Sequence, residues 1–337
     1  MQRFLNTNTT HTNTSITVRK YKSQDKLMWD TFVTQAKNAT FLFSRDFIAY
    51  HKNRFTDYSL LIFKEASLVG VVPANLEGDK LYSHQGLTYG GLVLNGKSKL
   101  EDVSDYFTAV LSFLHSEGID LLLVKSLPTI YHLLPSDELQ YLLFIAEAKL
   151  VRTDVSSTIE LAHALKIKSN RMEGVKKAKK QNLRIIEGVA FDEFWNEILV
   201  PNLKERHHTA PVHSLDEIKE LNSSFPNSIL QFNVYDGNKI VAGATIFETK
   251  NVAHVQYISA NADKQTLGSL DFLFEYFIKN RFADKKYFDF GTSNENLGKN
   301  VNKGLQYWKE CFGARSIVHN TYEVMTSNYS KLKDVFI

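Results

Sequence analysis

Residues 230–244 read Leu230-Gln231-Phe232-Asn233-Val234-Tyr235-Asp236-Gly237-Asn238-Lys239-Ile240-Val241-Ala242-Gly243-Ala244, and the fold follows from how this stretch recurs. Leu230, Phe232 and Val234 fall on one face of a strand and Gln231, Asn233 and Tyr235 on the other, the period of two that a strand requires. Asp236 to Lys239 supplies a turn, and Ile240–Ala244 the returning strand, with Gly243 near its end. The first half holds the same unit: Ser59–Phe63, the polar turn Lys64 to Ser67, then Leu68–Val72 with Gly70. Each hairpin is followed by a third strand (Leu87–Leu94; Ala253–Ala260) and then an amphipathic helix. Tyr106, Phe107, Val110, Leu111 and Leu114 mark the first helix; Leu270, Leu273, Phe274, Phe277 and Ile278 mark the second. A fourth strand closes each unit, Ile119–Val124 and Tyr287–Phe290. Gly70 to Ser126 is 56 residues and Gly243 to Ser293 is 50. Two runs in the same order at similar spacing predict an α/β (α+β) chain of two similar domains in tandem, with mixed sheets.

The expected boundaries are an Asn/Thr-rich disordered tail over 1–15, a first domain over 16–155 and a second over 156–313. Ile317, Val318, Thr321 and Tyr322 alternate along Ser316–Val324, within a segment 314–330 expected to return to the first domain. A length of 337 residues suits two domains. Hydrophobic content of 43% against 23% charged excludes wholesale disorder. The single cysteine, Cys311, excludes a disulfide scaffold and multi-cysteine metal sites. No run approaches the ~18 apolar residues that span a bilayer, and the N-terminus lacks the apolar core of a signal peptide. The expectation is a cytoplasmic protein; its oligomeric state is not legible.

Gly91-Leu-Val-Leu-Asn-Gly96-Lys97-Ser98 fits the phosphate-binding formula GxxxxGK[ST]. However, Leu92 to Leu94 are strand formers where the loop should lie, and Ser98 to Glu101 reads as a capping box. The formula is met and its context is not. His207, His208 and His213 lack a carboxylate at metal-completing spacing, so no metal is expected. Between the two units, Lys166 to Arg184 carries eight cations against Glu173 alone. This helix is read either as a solvated face or as a patch for polyanions such as nucleic acid, coenzyme A or anionic lipid. A second helix is expected over Phe191–Glu205, ending in Arg206-His207-His208.

Phe288-Asp289-Phe290-Gly291-Thr292-Ser293, followed by Gly304-Leu305-Gln306-Tyr307-Trp308-Lys309-Glu310-Cys311-Phe312-Gly313-Ala314, resembles the C-terminal signature of Fem-type (FemABX-like) acyltransferases of the GNAT superfamily. The cationic run from Arg171 through Lys180 resembles the basic helix of that group, and Thr88-Tyr89-Gly90-Gly91 its first-domain substrate loop. The likeness runs from about Trp29 to Tyr322 and implies two tandem GNAT-like domains. It also implies transfer of an acyl group from acyl-CoA or aminoacyl-tRNA, with no tightly bound cofactor. The implied acceptor is an amine or hydroxyl of a cell-envelope, polysaccharide or nucleotide-linked precursor. tRNA and peripheral contact with a membrane enter as expected partners.

By motif position the resemblance makes Lys309 the cation at the reacting carbonyl, where an exposed helix lysine is the alternative. It makes Arg206 a phosphate contact and places Tyr257 and Gln256 among substrate contacts, with Tyr89, Gly90 and Arg171. His207 is the nearby group whose ordinary pKa of about 6.5 suits a general base; the substrate itself is the alternative. Lys309→Ala is expected to cut turnover with little change in stability. Gln265-Thr-Leu-Gly268-Ser269-Leu270 stands where acyl-CoA enzymes of the superfamily carry [QR]-x-x-G-x-[GA], so Gln265, Gly268 and Ser269 are the candidate cofactor residues. Leu270 departs from that pattern in place of a small residue. The competing reading is a non-catalytic GNAT-fold protein that uses helix 166–184 to bind a polyanion.

Overall fold

A computed structural model describes residues 15–337, except for the side chains of Arg206 and His207; residues 1–14 of the expected tail lie outside it. Each half is built on one strand–helix–strand crossover. In the first, Lys80–Tyr82 runs parallel to Leu121–Lys125 across the helix Leu100–Ser116. In the second, Val252–Ala260 runs parallel to Tyr287–Thr292 across the helical stretch Ser269–Tyr276 and Phe277–Arg281. The remaining ladders are antiparallel, so the architecture is α+β with mixed sheets.

The two halves share one sheet. Eleven strands run in the order Arg184–Gly188, Ile229–Asp236, Lys239–Glu248, Val252–Ala260, Tyr287–Thr292, Lys149–Glu160, Arg315–Met325, Leu121–Lys125, Lys80–Tyr82, Asn75–Glu77 and Thr56–Asp57. The seam is Lys149–Glu160, twelve residues that pair with Tyr287–Thr292 on one side and Arg315–Met325 on the other. The boundary expected at 155/156 falls inside this strand, so no linker marks it. Arg315–Met325 in turn pairs through Thr321–Met325 with Leu121–Lys125 of the first half. A second sheet joins Ile16–Lys20, Leu60–Lys64, Ser67–Val72 and Val93–Leu94. The sheet is continuous, but the apolar interior is in three clusters. One surrounds Leu100–Ser116, one surrounds Ser269–Arg281, and a third lies between the halves around Trp29, Phe43, Tyr131 and Trp195.

Local corrections have local causes. The third strand expected at Leu87–Leu94 forms only over Val93–Leu94, because Gly90 crowds Ser83 and Gly91 sits at φ +105°. The parallel partner of Leu121–Lys125 is the three-residue Lys80–Tyr82 instead. Val93–Leu94 therefore occupies the place of a phosphate loop, and the next helix is capped one residue later than expected, the Lys99 amide donating to Asp102. The basic helix spans Ser169–Lys180, shorter than Lys166 to Arg184 because Asn182 takes φ +55° and Arg184 opens a strand. The helix from Phe191 widens to a π turn over Phe194–Leu199. Pro201 has no amide proton to return to Glu197, and the Val200 amide reaches five residues back to Trp195. Cys311 is buried.

Candidate active site

Val252–Ala260 and Tyr287–Thr292 keep register for three pairs, ending at His254 opposite Asp289, and then part. Both strands are irregular at the parting: Val252–Ala260 bulges at Gln256, where its register to Lys239–Glu248 shifts, and Gly291 interrupts the other strand. Gly291 takes φ +74°, a left-handed conformation that costs a side-chain-bearing residue about 1–2 kcal/mol. The ladder to Lys149–Glu160 slips there, between Asp289 and Thr292. The far end of Val252–Ala260, beyond the parting, borders a cavity of about 380 Å³, walled by Ile258, Ala260, Leu270, Leu305 and Trp308, a volume in the range of small-molecule sites. Arg171, Asp271 and Gln265 add its polar lining.

Asp289 is fully buried at the closed end of the wedge. Ser156 Oγ (2.6 Å), Thr158 Oγ1 (2.9 Å) and the Gly291 amide (3.2 Å) donate to Oδ1. Tyr131 Oη (3.1 Å) donates to Oδ2, and His254 Nδ1 lies 2.8 Å from the same oxygen. Burial pushes this carboxyl up, but the His254 contact and the hydroxyl donors outweigh burial and hold it well below the usual carboxylate range. Tyr131 comes from the first half, so the network ties the halves together. His319 stands close by; burial lowers its pKa against the pull of Asp289, and its Nε2 is buried without a partner.

Lys309 is not an exposed helix lysine. It is 3% exposed, and Nζ donates to the carbonyls of Gly291 (2.8 Å) and Thr292 (2.9 Å), the residues at which the strand turns away. Burial lowers its pKa to about 8, with Asp289 opposing the shift, so it remains mostly cationic at neutral pH. Truncation to Ala would leave a cavity and two carbonyls without their donor, so the expectation of unchanged stability is corrected. Lys309 follows Trp308 on Lys303–Glu310, so one short helix supplies both a cavity wall and a buried cation.

At the cavity rim, Arg171 Nη1 pairs with Asp271 Oδ1 at 2.9 Å, and Trp308 Nε1 donates to the same oxygen. Burial raises the Asp271 pKa against the Arg171 charge. Gly268 (φ +67°) closes against the basic helix: a Cβ there would lie 2.1 Å from the Gly174 carbonyl. Gly268 therefore leaves no room for a side chain between this loop and the basic helix. Ser269 is wholly buried with its hydroxyl unpartnered, while Gln265 is exposed and lines the cavity. Of the three candidate cofactor residues, Gln265 alone lines the cavity.

The other expected substrate contacts do not gather in one cleft. Tyr89 is buried with its hydroxyl on Thr40, and burial raises its pKa strongly. Gly90 is required by Ser83, whose carbonyl would lie 2.1 Å from an added Cβ. Tyr257 is buried against Trp195 and accepts from the His213 amide (3.0 Å); burial lifts its pKa to about 12. Gln256 is half-exposed on the same strand. Arg206 and His207 end the helix Val200–His207, and their side chains lie outside the described residues. Sequence reasoning passed over Asp289, His254, Tyr131 and His319. The available signal was Phe288-Asp289-Phe290: a carboxylate beside two aromatic residues on a strand must be buried or satisfied from the opposite face.

By sequence the chain matches no protein-family model and no curated protein. By structure it superposes on FemX over 94% of this chain and 99% of that one, with a TM-score of 0.63 at 9% identity. It is similar to the C-terminal domain of a chain named for lysylphosphatidylglycerol synthetase, from Agrobacterium fabrum. There the TM-score is 0.58 at 13% identity, over 92% of this chain and 93% of that one. For L-PGS of Bacillus licheniformis the TM-score is 0.56 at 10% identity, covering 91% and 92%. These likenesses show the fold alone: the chain is folded as these three proteins are.

Proposed function

We propose that the chain is an acyltransferase that moves an acyl or aminoacyl group from an activated donor to an amine or hydroxyl. The observation that carries this reading is the wedge itself. Two parallel strands part, one of them runs on to line a cavity of about 380 Å³, and a buried lysine, next to the cavity-lining Trp308, sits on the carbonyls at the parting point. Acyl transfer develops negative charge on the carbonyl oxygen, and a fixed cation in a dry site stabilises it. The donor lies in the cavity with Arg171 at its polar rim. The exposed lysines of the basic helix, Lys176, Lys177, Lys179 and Lys180, favour a polyanionic donor. Aminoacyl-tRNA suits that charge best, and Leu270 stands where acyl-CoA enzymes of the superfamily carry a small residue, which disfavours coenzyme A. FemX and the lysylphosphatidylglycerol synthetase share the fold; we take the acceptor to be a cell-envelope or nucleotide-linked precursor met in the cytoplasm.

The test offers the purified chain labelled aminoacyl-tRNAs and acetyl-CoA. The acceptors are a nucleotide-linked sugar peptide, amino-sugar oligosaccharides and phosphatidylglycerol vesicles. Labelled product from one donor–acceptor pair supports the reading. Salt-dependent binding of nucleic acid with no transfer from any donor would favour the second reading, a polyanion-binding protein that uses the same lysines.

A further inference from the structure

We propose that His254, oriented by Asp289, is the general base that takes the proton of the acceptor nucleophile; this rests on the acyl-transfer reading above. The geometry carries it in three steps. First, every donor around Asp289 is used: Ser156, Thr158 and the Gly291 amide hold Oδ1, and Tyr131 and His254 hold Oδ2. An ionised carboxylate accepts only, so His254 must present a protonated Nδ1 to it. In the neutral ring that leaves the lone pair on Nε2. Second, the ring is not sealed. The His254 side chain keeps 13% of its surface exposed while Asp289 keeps none, and Nε2 is not among the buried polar atoms without a partner. Third, His254 is the last paired residue before the strands part, directly across from Asp289 and one residue beyond Phe288 in register. From there to Ile258 in the cavity wall is four residues, about 13 Å of strand. The role requires the donor's carbonyl to reach beyond the cavity to this end of the strand.

The neighbouring groups do not compete for the role. Tyr131 donates its proton to Asp289 and is buried. Lys309 holds two carbonyls. His319 faces the same carboxylate from Arg315–Met325, with its Nε2 buried. Ser156 and Thr158 face it from the seam strand as hydroxyl donors. In the reaction, the acceptor N–H or O–H proton passes to His254 Nε2 as the nucleophile bonds to the acyl carbon. The carbonyl π pair moves to oxygen, opposite Lys309. Collapse restores the carbonyl and breaks the C–O bond of an ester donor or the C–S bond of a thioester. The leaving alkoxide or thiolate takes the proton back from His254, so atoms and charge balance. Asp289 is a positioning residue: with Asn in its place, an Nδ2 donor facing His254 Nδ1 would favour the opposite tautomer and remove the lone pair from Nε2.

The experiment measures the pH profile of kcat/KM for wild type, His254→Gln and Asp289→Asn, with the donor–acceptor pair found above and a melting curve for each protein. His254→Gln is expected to lose about a hundredfold or more and to change the acid side of the wild-type profile, while melting like wild type. Nitrogen-15 histidine spectra of the full chain report the tautomer: Nδ1–H at His254 in wild type, Nε2–H in Asp289→Asn. If wild type transfers and His254→Gln stays within about threefold, or leaves the acid side of the profile unchanged, the base role falls and the acyl-transfer reading stands. If His254 carries its proton on Nε2 in wild type, the dyad falls. If wild type transfers nothing from any donor, the functional reading falls and the base role with it. Should Asp289→Asn fail to fold, His254→Gln and the wild-type spectrum still decide.

Discussion

Lys309→Met removes the buried charge while nearly preserving side-chain volume. In the folded protein, Nζ lies 2.8 Å and 2.9 Å from two carbonyls and the side chain is 3% exposed. Removing the ammonium leaves those carbonyls unpartnered, at about 1–3 kcal/mol each. Against that, burial lowers the lysine pKa from 10.5 to about 8; at about 1.4 kcal/mol per unit, the charged form carries a burial penalty on the order of 3 kcal/mol, which Met relieves. The two effects largely offset, so unfolding in urea should report a net change between about 1 kcal/mol stabilising and about 3 kcal/mol destabilising. Lys309→Ala adds a cavity and should cost about 2–4 kcal/mol more. Turnover behaves differently. If Nζ stabilises the oxyanion, kcat of Lys309→Met falls about 10²–10³-fold with KM little changed. Single-turnover transfer of labelled acyl group measures this directly. A Lys309→Met enzyme that is folded and within about threefold of wild type would refute the oxyanion role and leave Lys309 as a brace for the strand bend.

Arg171→Ala should raise the donor KM by roughly tenfold with kcat nearly unchanged, the pattern of lost uniform binding, and should destabilise the chain because Asp271 loses its cation. A donor KM equal to wild type would remove Arg171 from the binding rim. Gly268→Ala should cost about 3 kcal/mol or more, combining a left-handed φ with a Cβ 2.1 Å from the Gly174 carbonyl; an unchanged denaturation midpoint would contradict the close helix contact. Burial holds His51 and His213 at about 4 and His84 at about 3, so the folded chain leaves them neutral where the unfolded chain takes up protons below about 6.5. Their contribution is therefore complete above about pH 6.5 and is lost as pH falls toward 4, at up to about 4 kcal/mol per pH unit near pH 5 if all three respond. A melting temperature flat from pH 7.5 to 5 would show that the three are not held neutral.

The hairpins were legible because their turns and alternation are local. Glu65 and Gly237 turn the chain at φ +56° and +59°, and strand residues on either side alternate. The polar face of Ile229–Asp236 was read correctly as a face, but it is buried rather than solvated. Thr245 donates to Gln231, Gln231 to Asn233, and Tyr235 to Glu193 beneath the helix that starts at Phe191. Strands of three residues, Asn75–Glu77 and Lys80–Tyr82, are too short to show a period, so the Val/Leu-rich run before Gly96 was taken in their place. Lys309 was found through its motif, yet its burial was not, because the carbonyls it holds belong to a strand 17 and 18 residues away. His254 left no local mark at all: its meaning depends on Asp289, 35 residues on. The seam network gathers Tyr131, Ser156, His254 and Asp289 from four segments, and only the folded sheet brings them together.

The most direct test of the account is a crystal structure with a stable donor analogue, either an aminoacyl group in amide linkage to a 3′-amino nucleotide or an S-alkyl coenzyme A. The analogue should lie between Val252–Ala260 and Tyr287–Thr292, with its carbonyl oxygen about 3 Å from Lys309 Nζ and its reacting carbon on the side of His254. An analogue seated elsewhere, with Lys309 still closed on Gly291 and Thr292 and no path through the wedge, would contradict the proposed site.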